Sequence, residues 1–413
     1  MQALLDEFKP GRRIYIPGAS GESTALVEAL AADPARLRGV NLVSCLLPGI
    51  NKTDYAALHP ESRLTAFLPG PFLRASFAAG RVEVPALSYA GIAAGFDKGP
   101  AFDVAVAQVA PPAVDGSCSF GIAADFSSIA WRNARRRVAI INPVMPPTKR
   151  SPRIFLNAAD IIVTADAPLL CADPFRTTPQ LTAIAEHVAN LVPDGAAIQL
   201  GIGGAPAVVW RHLTSHRNLT ISSGIAVDDL LLLVESGALR AGNAHLTGIA
   251  YGTMEFYRYL AESDLVEFGS TLVTHNFVRL AALPRFTSVN AAIEVDLFGQ
   301  VNAEWRGGQV VSGIGGGPDF MRGAAASVGG RSIITLPATA KGTAGTVSKI
   351  VPKLESHTVS IARSDVDTVI TEFGAAELKG RSLEARAEAL IEIAAPEHQA
   401  ELATVWRAMR RGF

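Results

Sequence analysis

Short apolar runs alternate with stretches of helical spacing almost from the start of the chain. Residues 12–17 (RRIYIP) read as a buried strand, GASGES as a turn, and TALVEALAA as a helix with Ser20 or Ser23 as its N-cap. GVNLVSCLL and LTAFLPG follow as strands, then VEVPALSY, FDVAVAQVA, RRVAIINPV and DIIVTA. Strands alternating with helices predict a mostly parallel sheet covered by helices. Between residues 166 and 182 the pattern breaks: DAPLLCADPFRTTPQLT is rich in Pro and Thr, lacks a period, and predicts a linker. Beyond it TAIAEHVANLV reads as an amphipathic helix, AAIQL as a strand and PAVVWRHL as a new helix. LTISS, LVEFG, TSVNAAIEVDL, QVVSGIG, RSIITLP, HTVSIA and VDTVITE are the later predicted strands, and residues 382–411 a helical ending with one solvated face. The expected architecture is α/β, with two domains of mostly parallel sheets over residues 1–176 and 177–413.

Composition agrees with that outline. A chain of 413 residues suits two cores better than one, and a formal charge of −1 gives no broad attraction for nucleic acid or an anionic membrane surface. Cys45, Cys118 and Cys171 are scattered and odd in number, so they read as small buried hydrophobes, not as a disulfide frame or a zinc site. The opening MQALLDEFKPGRR is too polar for a secretory signal, and no apolar run approaches the roughly 20 residues a membrane span needs. The expectation is a cytoplasmic protein.

Two segments carry candidate chemistry. In AAIQLGIGGAPAVVW a strand runs into Gly201, Gly203 and Gly204, and Pro206 opens a helix. Missing side chains admit a ligand close to the backbone, and the helix start offers free N–H groups to an anion. This is neither the GxGxxG fingerprint nor a Walker loop. In VVSGIGGGPDFMRGAA, Gly313, Gly315, Gly316 and Gly317 again follow a strand and precede a helix, as in a loop wrapping a carbonyl or phosphate. PATAKGTAGTVSKIVP adds Lys341 and Lys349 among small hydroxyl residues, which suits phosphate contacts.

Taken together, DGAAIQLGIGGAP, NAAIEVDLFGQVNAE, SGIGGGPDFMRGA, TAKG…VSKIVP and the segment from DVDTVITE to IEIAAPE resemble the acetyl-CoA hydrolase/transferase family. INPVMPPT resembles its VN-x-x-MP segment, and GIAYGTMEFY, with Tyr251, Gly252 and Thr253, its F-x-x-GS/T-x-x-LY block. The resemblance implies two open α/β domains of the CoA-transferase type facing each other across an acyl-CoA. It implies a CoA-binding loop of Gly201, Ile202, Gly203, Gly204 and Ala205, an oxyanion-hole donor at about Gly315, and a strand bearing Asn290, Ala291 and Ala292 along the thioester or pantetheine arm. Lys341 is the cation expected beside the CoA. The implied substrates are a short-chain acyl-CoA and a small carboxylic acid, with no tightly bound cofactor, no metal, and a homodimeric assembly. The implied chemistry is covalent: a glutamate carboxylate attacks the thioester and becomes a glutamyl-CoA thioester.

One departure bears on that chemistry. Aligning Leu219, Ile221 and Asp228 of LTISSGIAVDDLL with the family's leucine, isoleucine and aspartate puts Gly224 where the glutamate belongs. Glycine cannot form the thioester. Glu294 is a substitute candidate, although family members carry an acid there beside the usual nucleophile. Asp228, Asp229, Glu235, Ser222 and Ser223 are further options without an evident base nearby. His212 and His216 stand at i,i+4 spacing without a third ligand, and His245 and His275 fall in loop-like segments where exposure is expected. The expected function is a CoA-transferase or acyl-CoA hydrolase lacking the family glutamate; the alternative is a CoA-binding regulatory protein on the same fold.

Overall fold

The computed structural model describes residues 1–413 apart from 100, 174–175, 243–244, 343–344, 356–357 and 413. Two large sheets dominate. The first holds seven parallel strands: β1 (Arg13–Tyr15), β2 (Asn41–Ser44), β3 (Arg63–Ala66), β4 (Val82–Glu83), β5 (Phe102–Val109), β6 (Ala134–Ile141) and β7 (Ile161–Thr164), in the order 4-3-2-1-5-6-7. The second holds β8 (Ala197–Leu200), β9 (Thr220–Ile221), β10 (Thr287–Ala291), β11 (Arg331–Thr335), β12 (Thr368–Thr371) and β13 (Gly374–Glu377), in the order 9-8-10-11-12-13. Only β12 and β13 pair antiparallel there. Strands such as β5 are buried almost end to end, as expected where helices cover both faces of a parallel sheet. The architecture is therefore the expected α/β one with mostly parallel sheets.

Local signals place the helices. Ser23, not Ser20, caps the Thr24–Ala32 helix by accepting from Leu26 N–H, and Thr178 caps Pro179–Leu191 in the same way. Of the predicted linker, residues 174 and 175 lie outside the described residues. Five predicted elements differ. VEVPALSY contributes only Val82–Glu83, and its last residue opens the Tyr89–Phe96 helix. TSVNAAIEVDL is not one strand: β10 ends at Ala291, and Glu294–Asp296 joins a separate sheet with Val301–Asn302 and Ile350–Val351. A continuous apolar run gives no sign of such a change of sheet. QVVSGIG contributes only Gln309–Val310, in a hairpin with Trp305–Arg306. In HTVSIA, residue 357 lies outside the described residues, and the rest forms no strand, only an isolated bridge from Ile361 to Val301. The helical ending is two helices, Leu383–Glu392 and Pro396–Arg410, because Pro396 lacks the N–H an uninterrupted helix would need and instead opens the second. Among the described residues no helix is long and apolar enough to cross a membrane.

The two halves are joined by rings and by backbone. Tyr89, opening the Tyr89–Phe96 helix of the first half, stacks edge-on to Phe126 and faces His275, which packs on Phe320 at 4.4 Å between centroids. Asp319 of the second half accepts from Ser88 Oγ at 2.7 Å and from Ala90 N–H at 3.0 Å, while Tyr89 N–H donates to Gly315 O. Residues 122–124 are stitched to the other half by Ala124 N–H to Gly248 O and Ala250 N–H to Ile122 O. These contacts hold the glycine-rich loop against the carboxyl ends of the first sheet.

Candidate active site

In the second sheet the strand order reverses between β8 and β10, so the loops leaving those strands diverge and open a crevice at their carboxyl ends. Such switch points are where α/β sheets receive ligands. Leu200 runs into Gly201 and the Gly204–His212 helix; Asn290 and Ala291 end β10; residues 222–224 leave β9. Below the first loop lies a closed polar net: Ser288 Oγ and Asn290 Nδ2 both donate to Gln199 Oε1, at 2.6 and 3.2 Å, and Gln199 Nε2 donates to Asn290 Oδ1 at 3.3 Å. Buried amides satisfied in this way set the Asn290 side chain against the loop.

The glycine loop after Ser312 closes the crevice from above. Gly315 takes φ +63°, and a Cβ on Gly313 would lie 2.3 Å from Phe67 O, so the loop passes the first sheet closer than any side chain allows. The hydrogen bonds of the described residues use the N–H of neither Gly315 nor Gly316. Both residues line a cavity of about 190 Å³ together with Gly201, Ile202, Gly224, His275, Asn290 and Ala291. From the first half Cys45, Tyr89 and Asp125 line the same cavity. A second hollow of about 640 Å³ shares Ile202, Ala291 and Ser312 with it, and runs over Gly203, Gly204 and Ala205 to Ala292, Arg306 and Lys349.

Most of the candidates taken from the sequence thus meet in one trough: the whole loop 201–205, residues 290–292, Gly315 and Gly224. Two do not. Lys341 stands exposed on the hairpin of Thr339–Gly342 with Gly345–Ser348 and lines neither hollow; Lys349, half-buried, is the lysine at the trough. Alternation along TAKG…VSK cannot say which lysine faces inward, because that depends on what the hairpin base is bonded to: Lys349 follows the hairpin, with its N–H on Ala338 O and its carbonyl on Val295 N–H, while Lys341 pairs with Thr346 farther out. Glu294 lines neither hollow; its Oε2 accepts from Asn302 Nδ2 at 3.2 Å, and its charge favours the Lys349 ammonium. Burial and nearby Arg306 bring Lys349 down to about 8 despite Glu294 and Glu372.

The other substitutes for the glutamate have work elsewhere. Ser222 Oγ accepts from Arg279 and Ser223 Oγ donates to Leu200 O. Asp228 accepts from Thr253 N–H and Oγ1, where Thr253 caps the Met254–Glu262 helix, and Asp229 pairs with Arg211. Glu235 closes the Leu230–Glu235 helix. Tyr251 OH donates to Cys171 O. His216 lies beyond the helix that ends at His212, and its Nε2–H is shared by the carbonyls of Ala189 and Val192. The two remaining histidines correct the expectation of exposure: His245 sits buried in a strand and accepts from Ile221 N–H, and His275 is buried in the trough. Local polarity suggested loops, but burial was decided by contacts far away in sequence. Burial drives the His275 imidazole down to about 3, so it is neutral at physiological pH. Thr274 Oγ1 and His275 Nδ1 share a hydrogen bond at 2.8 Å whose donor follows the imidazole tautomer, and Thr274 Oγ1 also lies 3.3 Å from Ser270 O. Cys171 is exposed, contrary to expectation, whereas Cys118 is buried and Cys45 Sγ lies 3.2 Å from Tyr89 OH.

Nothing along the chain marks Tyr89, Cys45 or Asp125 as a site residue. For Asp125 one clue was available: a lone acid inside the apolar stretch FGIAADFSSIA, where an unpaired carboxylate is costly.

A two-sheet α/β frame with glycine loops converging on a switch-point trough defines the class, and the comparisons agree. The model of the acetyl-CoA hydrolase/transferase C-terminal domain matches residues 252–405. The chain is 34% identical to the 4-hydroxybutyrate coenzyme A transferase of Clostridium kluyveri, over 94% of this chain and 92% of the relative. It is 33% identical to the succinyl-CoA:cyclohexane-1-carboxylate CoA transferase of Geobacter metallireducens, over 98% and 93%. The crystal structure of RipA from Yersinia pestis superposes with a TM-score of 0.90 at 28% identity, over 99% of this chain and 96% of that one. The chain belongs to the acetyl-CoA hydrolase/transferase family.

Proposed function

We propose that this protein binds a short-chain acyl-CoA along the trough and either passes its CoA to a small carboxylate or releases it to water, with no carboxylate at position 224. The observation that carries this reading is the pair of N–H groups, those of Gly315 and Gly316, that have no partner among the described residues and lie beside a cavity at the carboxyl ends of β8 and β10. Preorganised donors of this kind stabilise the oxyanion that forms when a thioester carbonyl is attacked. In this reading Gly201, Ile202, Gly203, Gly204 and Ala205 cradle the CoA, the start of the Gly204–His212 helix and Lys349 face its phosphates, and Asn290 and Ala292 follow the thioester or pantetheine arm. Glu294 acts by holding Lys349 charged. A cytoplasmic homodimer without a tightly bound cofactor is the accompanying proposal. Gly224 itself favours the second reading, a CoA-binding regulatory protein without turnover.

The deciding experiment is incubation with acetyl-, propionyl-, butyryl- and succinyl-CoA, with and without acceptor acids, following free thiol and CoA exchange. Thiol release or exchange with at least one pair is the expected result. No turnover across the panel with CoA binding retained would establish the regulatory reading instead.

Lys349 supplies a second check. Its ammonium is charged below about 8 and loses its proton as pH rises through that value, so CoA binding should weaken across that window. Lys349→Met should weaken binding by about tenfold at pH 7, equivalent to ~1.4 kcal/mol, and flatten that pH dependence. Calorimetric titration of CoA at several pH values reads both. Equal affinity in the variant would remove Lys349 from the CoA site.

A further inference from the structure

Asp125 is a buried carboxyl that the fold leaves without a full set of partners. It precedes the Ser127–Arg132 helix, in the segment bonded to the second half through Ala124 and Gly248, and its own carbonyl accepts from Thr271 N–H at 3.2 Å. The residue is 9% exposed, lines the 190 Å³ cavity, and its Oδ1 has no hydrogen-bond partner among the described residues. Thr271 Oγ1, in the same cavity, is likewise unpartnered. Burial pushes the Asp125 carboxyl up to about 7, against the opposing effect of the Phe126 and Ser127 N–H groups. The titratable groups around it are Tyr15 on β1, Cys45 after β2, Tyr89 and His275. Burial raises the first three and lowers His275, so all four are uncharged near neutral pH.

Its position relative to residue 224 matters more. Gly248 lies between them: a Cβ there would be 3.0 Å from Gly224 O and 3.5 Å from Asp125 Cβ. Gly224 O also accepts from the N–H groups of Gly248 and Ile249. A carboxyl from the first half therefore enters the cavity one residue's width from the strand end where the family places its own. Its side chain is held by burial. A water hydrogen-bonded to the cavity side of the carboxylate lets such a group act on a thioester it need not touch.

We propose that Asp125 is the general base of this site. Its carboxylate takes a proton from a water as the water oxygen bonds to the thioester carbonyl carbon. The carbon–sulfur bond breaks as the tetrahedral species collapses, and the proton returns to the departing CoA thiolate, leaving free CoA thiol and a carboxylic acid. The role rests on the acyl-CoA reading above and assigns the activation of water within it to one residue.

The test uses the intact protein and the thioester it turns over fastest. The wild-type kcat/KM should rise with pH through about 7 and then level, because the base must be ionised. Asp125→Asn should lower kcat by about 100-fold or more, leave KM little changed, and abolish the acid limb, with circular dichroism and CoA binding confirming the fold. A single wild-type turnover in ¹⁸O-water should label the product acid and not the peptide bearing Asp125. Label in that peptide would make Asp125 a covalent nucleophile and overturn the proposal, as would an Asn variant that keeps the rate, or a wild-type profile flat from pH 5 to 9 around that value. If the wild type cleaves no thioester at all, the acyl-CoA reading itself falls and the base role falls with it.

Discussion

Gly224→Glu is expected to give this site a covalent intermediate that the parent lacks. An ideal Cβ at 224 lies 3.3 Å from His275 Cε1, 3.5 Å from its Nε2 and 3.6 Å from Phe320 Cε2. That is tight, but the neighbours are side chains needing to yield only tenths of an ångström, and the backbone at 224 is outside the left-handed region. The added carboxylate would enter the cavity lined by Gly315 and Gly316, where the proposed oxyanion donors lie. After incubation with acyl-CoA and borohydride, mass spectrometry should find position 224 reduced in most variant chains and unmodified in the parent. CoA exchange between acyl-CoA and free acid should become ping-pong. An unlabelled variant that still binds CoA would show that residue 224 is not where the family carboxylate acts.

Gly313→Ala should have the opposite effect. Its Cβ would meet Phe67 O at 2.3 Å, and that oxygen is backbone, anchored by Phe67 packing on Phe96 and Phe126. The loop must therefore retreat from the first sheet, carrying the N–H groups of Gly315 and Gly316 away from the cavity. Misplacing one oxyanion donor costs about 2.7–4 kcal/mol, so turnover should fall by about 100-fold or more while circular dichroism shows the fold intact. Steady-state kinetics with a folded variant decides it. Unchanged kcat/KM would mean that this loop does not stabilise the reacting carbonyl.

Both predictions rest on features with different visibility in the sequence. The glycine loops were legible because a glycine run between a strand and a helix has few uses other than close approach. The clash of Gly313 with Phe67 was not, since its partner is about 250 residues away and belongs to the other sheet. Lys341 and Lys349 were indistinguishable as residues of one small-residue stretch; only the backbone bonds of Lys349 to Ala338 and Val295, at the base of the hairpin, put it at the trough. His275 looked like a loop histidine, yet Tyr89 and Phe320 enclose it from both halves.

The sequence by itself determined the α/β class, the two loops that end on helices, and the absence of a carboxylate at 224, because these follow from local spacing and from residue type. Tertiary structure decided which acid, which lysine and which histidine reach the cavity. Period and propensity describe how a segment folds against its own neighbours, whereas a site assembled where two sheets meet depends on contacts between segments that the chain keeps far apart. Asp125 illustrates the difference: a lone acid in an apolar stretch when read along the chain, and a carboxyl one glycine away from residue 224 when the halves are brought together.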